Sequence, residues 1–416
     1  MRFSVPTNWD DRLIEEIPLD LIGEFYGKLH TDYIGGGRSS YSCPPVSRRT
    51  AARHIAKIRS AGKHFNYLLN SACLANEEFT SRWQKQFESL TAWLYDNGVD
   101  TFTVSVPYLL ELLKIRLPRA RVCVSAFAHI NSAHKASFWE RLGADEITLS
   151  PPEMNRNFKA LRAVRSAVRC GLKLIVNNNC LLSCPLHIYH SNITAHASRL
   201  RENTCGYTID YCRLNCRYLR LADPSNYLKA DWIRPEDLHI YEEAGIDTFK
   251  LVDRILSTPA ILKISSAYFS GRHDGNLLDL FPRTRDIYVQ QKNTLPHYFR
   301  YFFRPHLVNP FRLVKIRELM KEIEIYIDNR ALDGFLEEIK ETDCVNENCD
   351  KCGYCSALAS SAVKIAEPGR KELTAAYRKF LRCLTEGETF RYPGLFSRRR
   401  KPIPEKKRKQ DIPTRS

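Results

Sequence analysis

The chain lacks any uninterrupted run of about 18 apolar residues, so nothing in it reads as a membrane-spanning helix. Its N-terminal stretch MRFSVPTNWDDRL has no apolar core behind a basic start, so it does not read as a secretory signal. These two absences place the expected protein in the cytoplasm, where thiols stay reduced. There is no HExxH and no GxSxG, which removes the familiar zinc-protease and serine-hydrolase signatures. Haem-type and flavin-type binding motifs are missing as well. No solenoid-like repeat occurs, and low complexity is confined to the C-terminal tail.

Cysteine is abundant by contrast. Eight of the fourteen cysteines fall into three tight groups. Cys180 and Cys184 stand in NNNCLLSC, Cys212 and Cys216 in YCRLNCR, and Cys344, Cys349, Cys352 and Cys355 in CVNENCDKCGYC. Thiolates three to five positions apart can converge on one small volume, as an iron–sulfur cluster or a zinc ion requires. The first two groups supply four thiolates, the number a 4Fe–4S cluster takes. Zinc and ordinary packed thiols are the alternatives, and neither half has the C-x2-C knuckle of a zinc ribbon. Cys43 or Cys205 can stand in for one of the four. The third group, C-x4-C-x2-C-x2-C, suits a second 4Fe–4S cluster or zinc. Cys73, Cys123, Cys170 and Cys383 lie in strand or helix patterns and read as small buried hydrophobes.

The 416 residues suffice for one large domain and a smaller one. Eight short β-branched and aromatic runs read as strands: Arg2–Pro6, Ile22–Leu29, His64–Asn70, Thr101–Val106, Arg121–Ala126, Glu146–Ser150, Lys173–Asn177 and Thr248–Val252. Gly62, Gly98, Gly143, Gly171 and Gly245 precede five of them and fit the left-handed caps that end helices. Eight strands alternating with helices predict an α/β fold, a TIM-like (β/α)8 barrel over residues 1–290. Residues 180–234 form a Cys-rich insertion too long for an ordinary βα loop. Residues 291–397 read as a smaller, mostly helical, Cys-rich appendage, with helices over Val314–Ile339 and over Ala357–Thr385, the latter broken near Pro368-Gly369.

The net charge is +16, of which the tail Arg398–Lys409 carries +7 through eight basic residues and one Glu. That tail, within a disordered segment 398–416, and the aromatic–basic stretch Tyr298–Arg304 suit RNA or another polyanion. Chemistry in such barrels gathers at the C-terminal ends of the strands. Arg254, His129 and Asn177 are the candidate catalytic residues there, and Asn70, Asn131 and Lys250 the candidate substrate contacts. Arg254 suits a bidentate grip on a carboxylate or phosphate.

Four stretches resemble the peptidase U32 family across roughly residues 1–290: VSAFAHINSAHKASFWERLGADEITLSPPE, LKLIVNNNCLLSC, YCRLNCRYLR and DWIRPEDLHIYEEAGIDTFKLVDR. The resemblance implies a TIM-like barrel and a 4Fe–4S cluster on four cysteines. It implies oxygen-independent hydroxylation of RNA or a small molecule, with a hydroxyl donor such as prephenate and a separate electron donor. A non-catalytic iron–sulfur or RNA-binding partner subunit, and a peptidase, are the alternative functions. The chain departs from the family where Lys250-Leu-Val-Asp253-Arg254 replaces Lys-Ile-Glu-Gly-Arg, and in its closer Cys180–Cys184 spacing.

Overall fold

Eight short strands close into a parallel barrel in chain order: β1 (Phe3–Pro6), β2 (Ile22–Gly27), β3 (His64–Leu69), β4 (Thr101–Val104), β5 (Arg121–Val124), β6 (Glu146–Thr148), β7 (Gly171–Ile175) and β8 (Thr248–Lys250). The barrel shuts where Phe3 pairs with Phe249 and Ser4 with Lys250. This computed structural model describes residues 1–199, 208–281, 309–313, 319 and 323–390. Among them, no helix is long and apolar enough to cross a membrane.

Parallel neighbours need a crossover, and helices supply it. The helix Arg48–Ser60 shows the local logic. Ser47 caps it by accepting from the Thr50 amide, and Ala51, Ile55 and Ile58 form its buried stripe. The chain turns out of it at Gly62, with φ of 72°. Gly98, Gly143 and Gly245 do the same with φ of 85°, 103° and 88°. Gly171 differs from expectation. It is the first residue of β7, and a Cβ there would meet Glu146 Cγ at 3.1 Å, so close strand packing explains it.

Side chains alternate along a strand, so every second residue faces the barrel axis. One inward layer takes a polar residue from each strand: Ser4, Glu24, Asn66, Thr103, Cys123, Glu146, Lys173 and Thr248. Lys173 Nζ lies 2.7 Å from Glu24 and 2.5 Å from Glu146. Ser4 donates to Glu24 at 2.6 Å, Asn66 at 3.1 Å, and Thr248 donates to Glu146 at 2.9 Å. Burial alone would raise the Glu24 carboxyl, but Lys173 and Ser4 outweigh it and hold it at about 2. Two residues further along the strands, Tyr26, Thr148, Ile175 and Lys250 form the floor of the barrel mouth.

The β7–β8 connection carries the expected insertion, with helices His187–Ala197 and Tyr211–Ala222. The expected helices over Val314–Ile339 are replaced in part. Ile325–Ile327 is a strand, β9, paired antiparallel with β10 (Val363–Ile365), and it is followed by a single 3-10 turn at Arg330–Leu332 and the helix Phe335–Glu341; residues 314–318 and 320–322 of the expected span lie outside the described residues. Tyr354–Ala362 and Gly369–Thr385 are helices, so the break near Pro368 holds, but β10 lies between them. Three-residue strands are too short to register as a period-2 pattern.

This C-terminal region shares the barrel's core through Ile327, Leu332, Phe335, Leu336, Ile339, Ala359 and Ala362. Phe335 stacks on Trp232 at 5.5 Å, and each such fully buried large side chain contributes about 1.5–3 kcal/mol. Arg234 clasps Asp237 at 2.8 Å and reaches across to the Asn329 carbonyl at 2.9 Å and to Asp333 at 3.0 Å. A second small core of Leu221, Leu373, Tyr377 and Phe380 seats the Tyr211–Ala222 helix against Gly369–Thr385. The expected boundary near 290, the stretch Tyr298–Arg304, Cys205 and the tail 398–416 lie outside the described residues.

Candidate active site at the barrel mouth

A cleft opens over the C-terminal ends of the strands, where a barrel enzyme keeps its chemistry. Lys250 is on its floor, only 8 % exposed, with Nζ 3.8 Å from the centre of the Tyr26 ring. Burial, then the Lys173 charge in the layer beneath, pushes its amine down to about 8. Arg254 lies on the wall beside it. Its Nη1 donates to the Lys28 carbonyl at 3.1 Å, and among the described residues no carboxylate pairs with it. Asp253 is instead taken by Arg38, at 2.6 Å. Asn70 also lines the cleft, donates to Ser125 at 3.4 Å, and keeps a buried Oδ1 with no donor among the described residues.

The remaining candidates are placed differently. Asn177 is fully buried and does not reach the cleft. Its amide bonds the Val252 carbonyl, the Leu280 carbonyl at 3.2 Å and the Val252 N–H at 2.7 Å, so it splices β7 to β8. Asn131 is exposed and accepts from Lys135 at 3.0 Å, away from the cleft. His129 is half-buried behind the lining, 3.3 Å from Ser191 and edge-on to His187 at 4.6 Å. Burial, then Lys135, lowers its pKa.

Arg38 is a cleft residue that the sequence reading passes over. It follows Gly35-Gly36-Gly37, and a Cβ on Gly37 would sit 2.2 Å from the Phe127 ring. Only glycine lets this loop cross the mouth so closely. The charged layer under the floor was passed over too; its signal is a Glu or Lys inside an otherwise apolar strand, as in LKLIV.

The first cysteine set borders this cleft. Cys180 lines it directly. Asp231 fixes the Cys180 loop by accepting from the Cys180 amide at 2.7 Å and from Asn178 at 2.8 Å. Burial raises its carboxyl to about 6. Cys212, Cys216 and Arg220 follow at four-residue steps on one helix and so share a face. Arg220 Nη1 lies 2.5 Å from Cys216 Sγ, Nη2 donates to the Asn179 carbonyl, and its buried Nε has no partner among the described residues. Burial raises the Cys184 thiol and carries Cys212 to about 12. Cys43 is buried near Lys28 and does not line the cleft. Cys123 is buried in the barrel as expected, whereas Cys73, Cys170 and Cys383 are half-buried.

The donor set fits a four-thiolate cluster. Cys180, Cys184 and Cys216 lie near the buried Arg220 guanidinium, with Cys212 one helical turn beyond Cys216, and the buried cation favours an anionic group. Among the described residues, no three of these sulfurs lie within 4.8 Å of one another. Glu24, Cys123 and Glu146 do lie that close, but Lys173 already occupies the space between the two carboxylates.

Fold and site together define a (β/α)8-barrel protein whose mouth is lined by Cys180, one of a paired set of cysteines. The chain belongs to peptidase family U32, whose sequence profile matches residues 34–294. An uncharacterized protease of Methanocaldococcus jannaschii is 30 % identical over 334 residues, covering 80 % of this chain and 87 % of that protein. A solved U32 peptidase aligns with 22 % identity and a TM-score of 0.46, over 61 % of this chain and 93 % of that one.

Proposed function

We propose that the chain is an iron–sulfur oxidoreductase that modifies an anionic substrate in the barrel mouth, by oxygen-independent hydroxylation or a related redox reaction. One observation carries this reading: Cys180 of the cluster-like cysteine set lines the same cleft as Lys250 and Arg254. Cys180, Cys184, Cys212 and Cys216 would hold a 4Fe–4S cluster, which supplies one-electron transfer when bound. Arg254 offers a permanent charge to a carboxylate or phosphate. Lys250, with its amine near 8, holds or gives up a proton close to neutral pH. The buried Asn70 Oδ1 accepts a hydrogen bond from a substrate hydroxyl or amine. The Gly35–Arg38 loop and the helix His187–Ala197 border the mouth, which suits a small molecule or one extruded RNA base. A separate one-electron carrier exchanges electrons with the cluster, and the family resemblance makes prephenate a candidate hydroxyl donor.

Anaerobic purification followed by iron, sulfide and zinc counting tests the assignment. Cys212→Ser with Cys216→Ser should lower iron and bleach the visible absorption. Full iron retention in that double variant overturns it. Comparing RNA and metabolite masses between cells with and without the protein, grown without oxygen, then identifies the substrate by the gain of one oxygen atom.

A hydrolytic reading has the Ser191–His129 contact in its favour. Yet the Ser191 hydroxyl donates to the Ile188 carbonyl at 2.8 Å, which leaves it an acceptor towards His129. A nucleophile needs the reverse arrangement. Peptide cleavage that survives Ser191→Ala would remove this reading.

A further inference from the structure

The third cysteine group forms a cavity of its own. Cys344, Cys349, Cys352 and Cys355, together with Arg156 and Leu182, line this cavity of about 520 Å³. Cys349 and Cys352 share one face of the short helix Cys349–Cys352. Gly353, with φ of 67°, turns the chain straight into Tyr354–Ala362, which brings Cys355 to the same cavity. The C-x2-C-x2-C run matches the bacterial ferredoxin spacing up to its third cysteine.

Arg156 points to the charge of the occupant. It is 2 % exposed, with its guanidinium 4.5 Å from the Trp232 ring and 5.2 Å from Phe335. Its Nε and Nη2 have no partner among the described residues. Buried N–H donors on a cation are costly unless an anion accepts from them. Four thiols lining one cavity beside a buried guanidinium would suit an anionic four-iron cluster.

Position suggests the role. Leu182 lies midway between Cys180 and Cys184, yet it lines this second cavity. Two residues of chain span at most about 7 Å, so a single loop separates the two centres. Cys352 is exposed.

We infer that Cys344, Cys349, Cys352 and Cys355 hold a second four-iron cluster that relays single electrons, across the Cys180–Cys184 loop, between the centre at the barrel mouth and an external one-electron carrier. This rests on the reading of that first centre. Each electron that the first cluster loses is gained by the second and then by an oxidised carrier of the ferredoxin class, and the reverse transfer resets the first cluster, with no atom or proton moved in the relay.

The test uses full-length protein purified without oxygen. Wild type should carry about eight irons, and Cys349→Ser with Cys352→Ser should lose about half, as should Cys212→Ser with Cys216→Ser. Cys352→Ser alone, at an exposed position, should lower iron without unfolding the chain. After dithionite reduction, wild type should show spin–spin broadening in its paramagnetic spectrum that either double variant abolishes. About four irons, all retained by Cys349→Ser with Cys352→Ser, overturns the second centre and leaves the first standing. One zinc lost in that variant overturns the cluster and the relay. Iron lost from that variant alone overturns the relay together with the barrel-mouth centre. Eight irons without magnetic coupling overturns the relay.

Discussion

Replacing Lys250 with Met should make the protein more stable and less active at once. The folded amine sits at about 8 and the unfolded one at 10.5. Below pH 8 the side chain is charged in both states, and the folded state is penalised by about 2.5 pKa units, on the order of 3 kcal/mol. Between pH 8 and 10.5 the unfolded chain binds the extra proton, so wild-type stability gains with rising pH from this group; above 10.5 the penalty is gone. Met keeps the length of the side chain and carries no charge. Lys250→Met should therefore raise unfolding free energy by about 3 kcal/mol at pH 7, with the advantage vanishing near pH 10.5. Urea titrations at pH 7, 9 and 10.5, with iron content checked at each, measure this. Substrate affinity should fall in the variant, and in wild type it should weaken as pH rises through 8 and Lys250 loses its charge. A variant less stable than wild type at pH 7, or an advantage independent of pH, would refute the reasoning that burial and Lys173 set this amine.

Arg254→Lys keeps the charge and loses the fork, so anionic-substrate affinity should drop roughly tenfold, about 1.4 kcal/mol, with iron content unchanged. Equal affinity would remove the anchoring role. Asn177→Ala should cost about 1–3 kcal/mol of stability, read by urea titration, because the Val252 amide loses its buried partner. Arg220→Met should lower iron and bleach the visible spectrum while leaving the far-ultraviolet dichroism intact; a fully loaded variant would show that the guanidinium next to Cys216 is dispensable.

The barrel was legible because each strand is a short β-branched run between turn residues, and every one of the eight lies where the sequence places it. Lys250 stands in the eighth expected strand, and the structure puts it in the lining of the cleft. Asn177 and Asn131 were misjudged because nearness to a strand end does not say which way an amide points. Asn177 turns to the β8 backbone and Asn131 to Lys135. Arg38 was hidden by its glycine-rich loop, whose path depends on Phe127, nearly a hundred positions away. The Arg-Pro-Glu-Asp block reads as a family signature, and its physical work emerges only in three dimensions, where Arg234 straps the C-terminal region to the barrel.

The charged layer inside the barrel also bears on how the chain finds its strand order. Replacing such a buried ionic layer by well-packed apolar residues is often neutral or even stabilising, so stability alone does not account for it. A slip of one residue in β2, β6 or β7 would turn Glu24, Glu146 or Lys173 outward to the apolar side that the surrounding helices cover. Only the native order gives Lys173 both of its carboxylates, 2.7 and 2.5 Å away. The layer thus works as a combination lock for strand register, one that misaligned barrels leave unsolved.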